Sequence, residues 1–185
     1  MVTVSGTPTW LTRDGDPLGG ANTALYFDGV DDYLSIAAGD FDIGDAYGDN
    51  TIEMWLRPHY NGTQASPMIW GIDNDNVQFA WSNSAYHHYW NTGIGLAGGN
   101  TGTGSVRDRT WHHLAWVFRK RRMEVYVDGV LKNSDLFTSD STAANIKVFV
   151  HPTSTDNLFT GYLDQFRISN GIARYGKYQL RTAQQ

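Results

Sequence analysis

The sequence predicts an all-β fold of two antiparallel sheets packed face to face. Three observations carry that prediction. Apolar and polar residues alternate with a period of two, and no window of helical length shows a 3.6-residue period. Composition agrees: only Glu53 and Glu124 are glutamates, the other acids being aspartates, which favour turns over helices. Finally, Asp128-Gly129 stands between the β-formers Met123 to Val127 and Val130-Leu131, a strong short-range signal for a two-residue hairpin.

Taken in chain order, residues 1–21 contain Pro8, Pro17 and Gly19-Gly20 and read as an extended lead-in able to add an edge strand. Strands follow at Ala24 to Phe27 and Tyr33 to Ile36. In Thr51 to Arg57, Ile52, Met54 and Leu56 share a core face, while Thr51, Glu53, Trp55 and Arg57 share a wetter one. Strands at Pro67 to Ile72 and Val77 to Ser82 flank Asp73-Asn74-Asp75-Asn76. That run departs from an EF-hand loop, because Val77 occupies the third ligand position and no Glu closes the frame, so it reads as a hairpin turn. Trp111 to Phe118 is apolar on both faces and predicts a central strand covered twice. Arg119-Lys120-Arg121-Arg122 then forms a solvated hairpin tip in preference to a nucleic-acid patch. Further strands are predicted at Ile146 to Val150 and Leu158 to Ser169, and the count suits two packed sheets.

Length and composition exclude several classes. A chain of 185 residues suits one domain, and with no cysteine the fold rests on packing alone. No signal-peptide pattern opens the chain, and no apolar run is long enough to span a bilayer, so membrane insertion is not expected. With a net charge of −5 and one basic run, nucleic-acid binding is not expected either.

Five stretches recur in fixed order: Phe27-Asp28-Gly29-Val30-Asp31-Asp32-Tyr33, Thr51-Ile52-Glu53-Met54-Trp55-Leu56, Trp111-His112-His113-Leu114-Ala115, Tyr126-Val127-Asp128-Gly129, and Gly161-Tyr162-Leu163-Asp164-Gln165-Phe166-Arg167-Ile168. Their order and spacing resemble the laminin-G-like domain of the concanavalin-A-like jelly-roll superfamily. The resemblance implies a jelly-roll β-sandwich over residues 22–175, with 176–185 as a C-terminal tail. It also makes the Gly98 to Ser105 segment a long loop within that domain rather than a linker. The stretch from Leu163 to Tyr175 is similar to the ending of laminin-G-like domains in structural proteins of tailed bacteriophages; after Tyr175 the likeness weakens.

Candidate site residues fall into three groups. Asp28, Asp31 and Asp32 form an oxygen-rich loop, in which each Asp either binds calcium or accepts hydrogen bonds from neighbouring N–H groups in turns. The resemblance implies a structural calcium ion on the sandwich rim, held by Asp28 and Asp164 with backbone carbonyls. Tyr86-His87-His88-Tyr89-Trp90 places five amphipathic rings in a row, so Tyr86, Tyr89 and Trp90 are candidates for a glycan platform or a protein interface. The pairs His87-His88 and His112-His113 point to opposite faces of their strands and make poor metal pincers. The resemblance gives His113 the role of a satisfied core histidine.

Glucanases of the superfamily carry paired carboxylates of the form Glu-x-Asp-x-Glu on one strand. Here the comparable strand offers Glu53 alone, so an enzyme is not expected. The sequence therefore predicts a non-catalytic, lectin-like structural module. The expected setting is the surface of a phage virion, as a capsid decoration, tail or fibre protein synthesised in bacterial cytosol, with weak adhesion to cell-surface glycan. Its expected partners are virion proteins or a second copy. The alternative is an extracellular, stand-alone carbohydrate-binding module from a bacterial enzyme or adhesin.

Overall fold

The computed structural model describes residues 1–10, 24–37, 48–59, 67–72, 78–82, 85–89, 99–100, 109–136 and 145–176; of 78, 81–82, 85–89 and 99–100 it describes the backbone alone. The described elements are all strands: β1 (Val2–Ser5), β2 (Thr9–Trp10), β3 (Leu25–Asp28), β4 (Tyr33–Ile36), β5 (Asn50–Pro58), β6 (Met68–Ile72), β7 (Gln78–Ser82), β8 (Ala85–Tyr89), β9 (Gly99–Asn100), β10 (His112–Arg119), β11 (Arg122–Val127), β12 (Val130–Leu136), β13 (Ile146–Val148) and β14 (Thr160–Asn170). They form two seven-stranded antiparallel sheets. The first runs β1-β4-β13-β6-β7-β8-β9 and the second β12-β11-β10-β5-β14-β3-β2.

The period-2 pattern sets the register. In the second sheet Ile52 pairs with both Trp116 and Ile168, Met54 with Leu114, and Leu56 with Leu163, so β5, β10 and β14 each turn a row of apolar residues to the same inner side. The first sheet answers with Leu34, Ile36, Trp70, Ile72, Phe79, Ile146 and Val148, and these residues meet in one buried cluster. Two aromatic groups organise it. The Trp70 ring stacks on Phe79 with centroids 4.2 Å apart and meets Trp116 edge-on at 5.7 Å. Phe149 stacks on Phe159 at 4.3 Å and meets the Phe27 ring at 4.8 Å.

Two of the three predicted hairpin turns lie within the described residues, and both form. Asp128 and Gly129 have φ of 50° and 75°, and Lys120 and Arg121 have 41° and 65°. Two successive positive φ values are what a two-residue loop needs to match strand twist. The lead-in contributes an edge strand to each sheet, β1 to the first and β2 to the second. Between them the chain crosses at Gly6 (φ 73°), and Thr7 N–H donates to Asp32 Oδ1 at 2.7 Å. The segment predicted as a long loop contains β9, which pairs with β8; its glycine-rich remainder, the Asp73 to Asn76 turn and the tail beyond Gly176 lie outside the described residues.

A pair of glycine substitutions separates conformational strain from steric clash. Gly129→Ala meets open space and should cost about 1 to 2 kcal/mol from its left-handed backbone alone. At Gly6 a Cβ would also crowd the Asp32 carboxylate and sit 2.9 Å from the Asp31 carbonyl oxygen. Thermal melts should therefore show Gly6→Ala as the more destabilised variant; equal melting temperatures would contradict the packing of this crossing.

Candidate functional site on the outer face of the second sheet

The face of β5 predicted as wetter looks away from the core and meets matching faces of β10 and β14. Across it the register sets Ala115, Glu53 and Arg167 in one row, and His113, Trp55 and Asp164 in the next. Beyond these, Arg57 pairs with Tyr162, which pairs with Tyr26. Rings dominate the surface: Trp55 and His113 centroids lie 5.3 Å apart, Tyr26 and Tyr162 4.9 Å, and the Arg57 guanidinium sits 5.1 Å from the Tyr162 ring centroid.

One end of this face is closed by the chain itself. Residues 171–176 leave β14 and fold back as a strap, seating Ala173 and Tyr175 on Ala115, Val117 and Tyr126. The Thr51 hydroxyl donates to the Ile172 carbonyl at 2.8 Å and accepts from Arg174 N–H at 3.0 Å. Arg119 donates to the Tyr175 carbonyl. This strap is the second cover that the two-sided apolarity of β10 predicts.

Glu53 sits where strap and sheet meet and is buried, 2% exposed. Arg167 donates to its Oε1 from Nε at 2.6 Å and again from Nη2. Tyr175 OH donates to Oε2 at 2.6 Å, His113 Nε2 lies 3.5 Å from Oε2, and Arg174 Nε lies 3.3 Å from Oε1. Burial pushes the carboxyl pKa up, but the His113, Tyr175 and Arg167 contacts outweigh it and bring it down to about 2. Burial and then the Glu53 carboxylate push the Tyr175 hydroxyl up to about 12.

Beside this hub the face opens into a pocket of about 540 Å³, lined by Glu53, Trp55, His113, Gln165, Phe166, Arg167 and Tyr175. A β-bulge shapes it. One extra residue separates Asp164 from Arg167 relative to β5, and Gln165 takes φ of 46° while its N–H donates to its neighbour's Asp164 Oδ1 at 2.7 Å. Gln165 is thereby exposed at the mouth, and Arg167 is turned across the sheet to Glu53.

The acidic candidates are placed differently from the expectation. Thr160 stands opposite Asp28, so Asp164 lies four residues further along the paired strand, roughly 13 Å away. Asp28 and Asp164 do not converge, and the pair does not fit a calcium ion. Asp28, Asp31 and Asp32 do bring carboxylate oxygens within 4.8 Å of one another. Their oxygens serve the corner itself: Asp32 accepts from Thr7 and Asp28 N–H groups, and Asp28 accepts from Val30 N–H. Tyr86 and Tyr89 lie on β8, where the backbone alone is described, and Trp90 lies outside the described residues. His112 and His113 diverge as predicted, His112 reaching Asp128 at 2.8 Å. The assignment of His113 to the core needs correction: it faces the outer pocket, because the core positions of β10 are Leu114, Trp116 and Phe118.

A laminin-G-type family model, described as the Concanavalin A-like lectin/glucanases superfamily, matches residues 20–173. The chain belongs to this superfamily. No curated protein sequence matches it. Among solved structures, the binding domain of Paraclostridial Mosquitocidal Protein 1 superposes with TM-score 0.73 at 12% identity, over 99% of this chain and 46% of that one. Domain 4 of an extracellular arabinanase from Geobacillus stearothermophilus, in complex with arabinotriose, gives 0.66 at 19% identity, over 92% and 82%. The botulinum neurotoxin serotype D binding domain gives 0.63 at 11% identity, over 100% and 47%. This chain thus spans about half of the toxin binding domains and most of the arabinanase domain. At these identities the likeness establishes a lectin-like fold.

The carboxylate hub predicts its own pH dependence. Because the folded pKa of Glu53 lies below its ordinary 4.5, its contribution is complete above pH 4.5 and disappears as pH falls toward 2. The melting temperature of the wild type should fall over that window, and Glu53→Gln should start lower and show a flatter acid limb. Tyr175→Phe removes one hydrogen bond to the carboxylate and should cost about 1.5 to 3 kcal/mol at neutral pH. It should also remove the part of the alkaline loss that Tyr175 contributes between pH 10 and 12, since its raised pKa stabilises the fold only while the hydroxyl is protonated. Parallel melting-temperature profiles for all three proteins would contradict this network.

Proposed function

We propose that the chain is a non-catalytic, lectin-like adhesion module that takes a saccharide in the pocket on the outer face of the second sheet. One observation carries the reading. Trp55 and His113 offer ring faces beside the exposed polar groups of Gln165 and Arg167, in a cleft built on adjacent strands. Sugars present apolar C–H faces edged by hydroxyls, and an amphipathic ring with hydrogen-bonding neighbours complements both.

The same geometry supports a binding rather than a hydrolytic role. Glycoside hydrolysis uses two carboxyls set about 5 to 9.5 Å apart, one of them protonated at the working pH. Among the described lining residues Glu53 is the single carboxylate, and with its pKa near 2 it holds no proton to give at neutral pH. Its oxygens are occupied by Arg167, Tyr175 and the flanking His113 and Arg174 contacts.

The setting we infer is the surface of a phage virion, on the similarity of Leu163 to Tyr175 to phage structural modules. The alternative, a carbohydrate-binding module of a bacterial enzyme or adhesin, is supported by the fold shared with the arabinanase domain solved with arabinotriose. Mass spectrometry of purified particles distinguishes the two settings.

The binding role is tested by retention on a panel of immobilised polysaccharides, with product analysis alongside. The expected result is retention without turnover. Trp55→Ala should weaken retention by about tenfold or more, a loss of about 1.4 kcal/mol or more as for an anchoring ring, while melting cooperatively. Retention unaffected by Trp55→Ala, or turnover lost in Glu53→Gln, would overturn the assignment.

A further inference from the structure

Taking the saccharide reading of this pocket as its premise, we propose that the site selects acidic pyranoses, sugars whose ring carries a carboxylate, by holding that carboxylate on the outer edge of the Arg167 guanidinium while the ring lies against Trp55. The charges in and beside the pocket are unequal in exposure. Glu53, which lines it, and Asp164, which lies in the neighbouring row outside the lining, are 2% and 5% exposed, whereas the Arg167 side chain is 53% exposed. Asp164 is further engaged by Gln165 N–H. The charge that a ligand meets is therefore cationic.

The orientation of that cation matters as much as its sign. A guanidinium has five N–H donors in a planar fork. Arg167 turns one edge inward, Nε and Nη2 both donating to Glu53 Oε1. The remaining donors, on Nη1 and the outer side of Nη2, form the end-on pair that matches the spacing of two carboxylate oxygens. Glu53 thus acts as a positioning residue: it fixes the guanidinium plane by its inner edge and leaves the outer edge to the ligand.

The register sets the reach. Arg167 pairs with Glu53, and Trp55 lies two residues along β5 on the same face, so Arg167 and Trp55 are diagonal neighbours about 7 to 8 Å apart at the backbone. That distance spans one pyranose ring with its carboxylate. The alternative explanation of binding, diffuse attraction of a polyanion, is disfavoured by the net charge of −5.

The test uses the wild-type chain and paired matrices that differ only in charge: polygalacturonate against its methyl-esterified form, and sialyllactose against lactose, all at 0.15 M salt. The two pairs distinguish a uronate from a sialate source. On at least one pair the acidic member should retain the wild type about tenfold more strongly, a difference of about 1.4 kcal/mol. Arg167→Lys keeps the charge but loses the fork, and should lose most of that preference, read as the ratio of retention on the acidic and neutral members. Should Arg167→Lys not fold, competition of wild-type retention by free galacturonate oligomers, set against their methyl esters, reads the same preference.

Equal retention on acidic and neutral members, with both lost in Trp55→Ala, would overturn acid selection and leave the saccharide reading standing. Retention on no matrix in the panel would overturn the saccharide reading itself. Retention on acidic matrices that survives both Trp55→Ala and Arg167→Lys but vanishes as salt is raised would show diffuse electrostatics and overturn the proposal.

Discussion

A buried carboxylate organises one half of this protein. Glu53 is withdrawn from water at the junction of β5, β10, β14 and the strap at 171–176, and it is stable there because donors from three of those elements converge on it. An unpaired charge in that position would be costly, so each donor is held in place by the need to satisfy it. Tyr175 brings the strap onto the sheet, Arg167 is drawn across from the bulged strand, and His113 is positioned between the Trp55 and Tyr175 rings.

Among the described residues the strap closes one end of the sheet only. The strap covers Ala115, Val117 and Tyr126, which are the apolar part of the outer face, and stops at Tyr175 beside the pocket. Trp55, Tyr26 and Tyr162 remain half-buried on the part of the face the strap does not cover, at positions fixed by strand pairing. Groups held on paired strands keep their spacing better than groups on loops, which suits recognition of a ring of fixed size. The bulge at Gln165 adds local adjustment without disturbing the ladder on either side.

The inner face of the sandwich was largely legible in the sequence. Ile52, Met54 and Leu56, together with Leu114, Trp116 and Phe118, alternate at the strand period and lie where that period predicts. The Asp128-Gly129 hairpin was legible because positive φ is a local demand that few residue pairs meet. The outer site was legible only in part. The alternation placed Glu53 and Trp55 together on one face, yet nothing local pairs Glu53 with Arg167 and Tyr175, more than 110 residues away. The Tyr86 to Trp90 run stands out by its density of rings along the chain, whereas the outer face gathers its rings from separate strands, Tyr26 from β3, Trp55 from β5, His113 from β10 and Tyr162 from β14.

Local chemistry by itself thus determined the strand class, the hairpins, the faces of the central strands and, through five ordered motifs, membership of the superfamily. These are decided by dihedral preference and by the burial of alternate residues, both of which act over a few positions. Tertiary structure decided which acids meet. Asp28 and Asp164 are separated because β14 runs antiparallel to β3 with Thr160, not Asp164, opposite Asp28. Glu53, a single carboxylate in the sequence, becomes the centre of the outer face because strand order and the folding back of residues 171–176 bring its donors together, and both are properties of the whole chain.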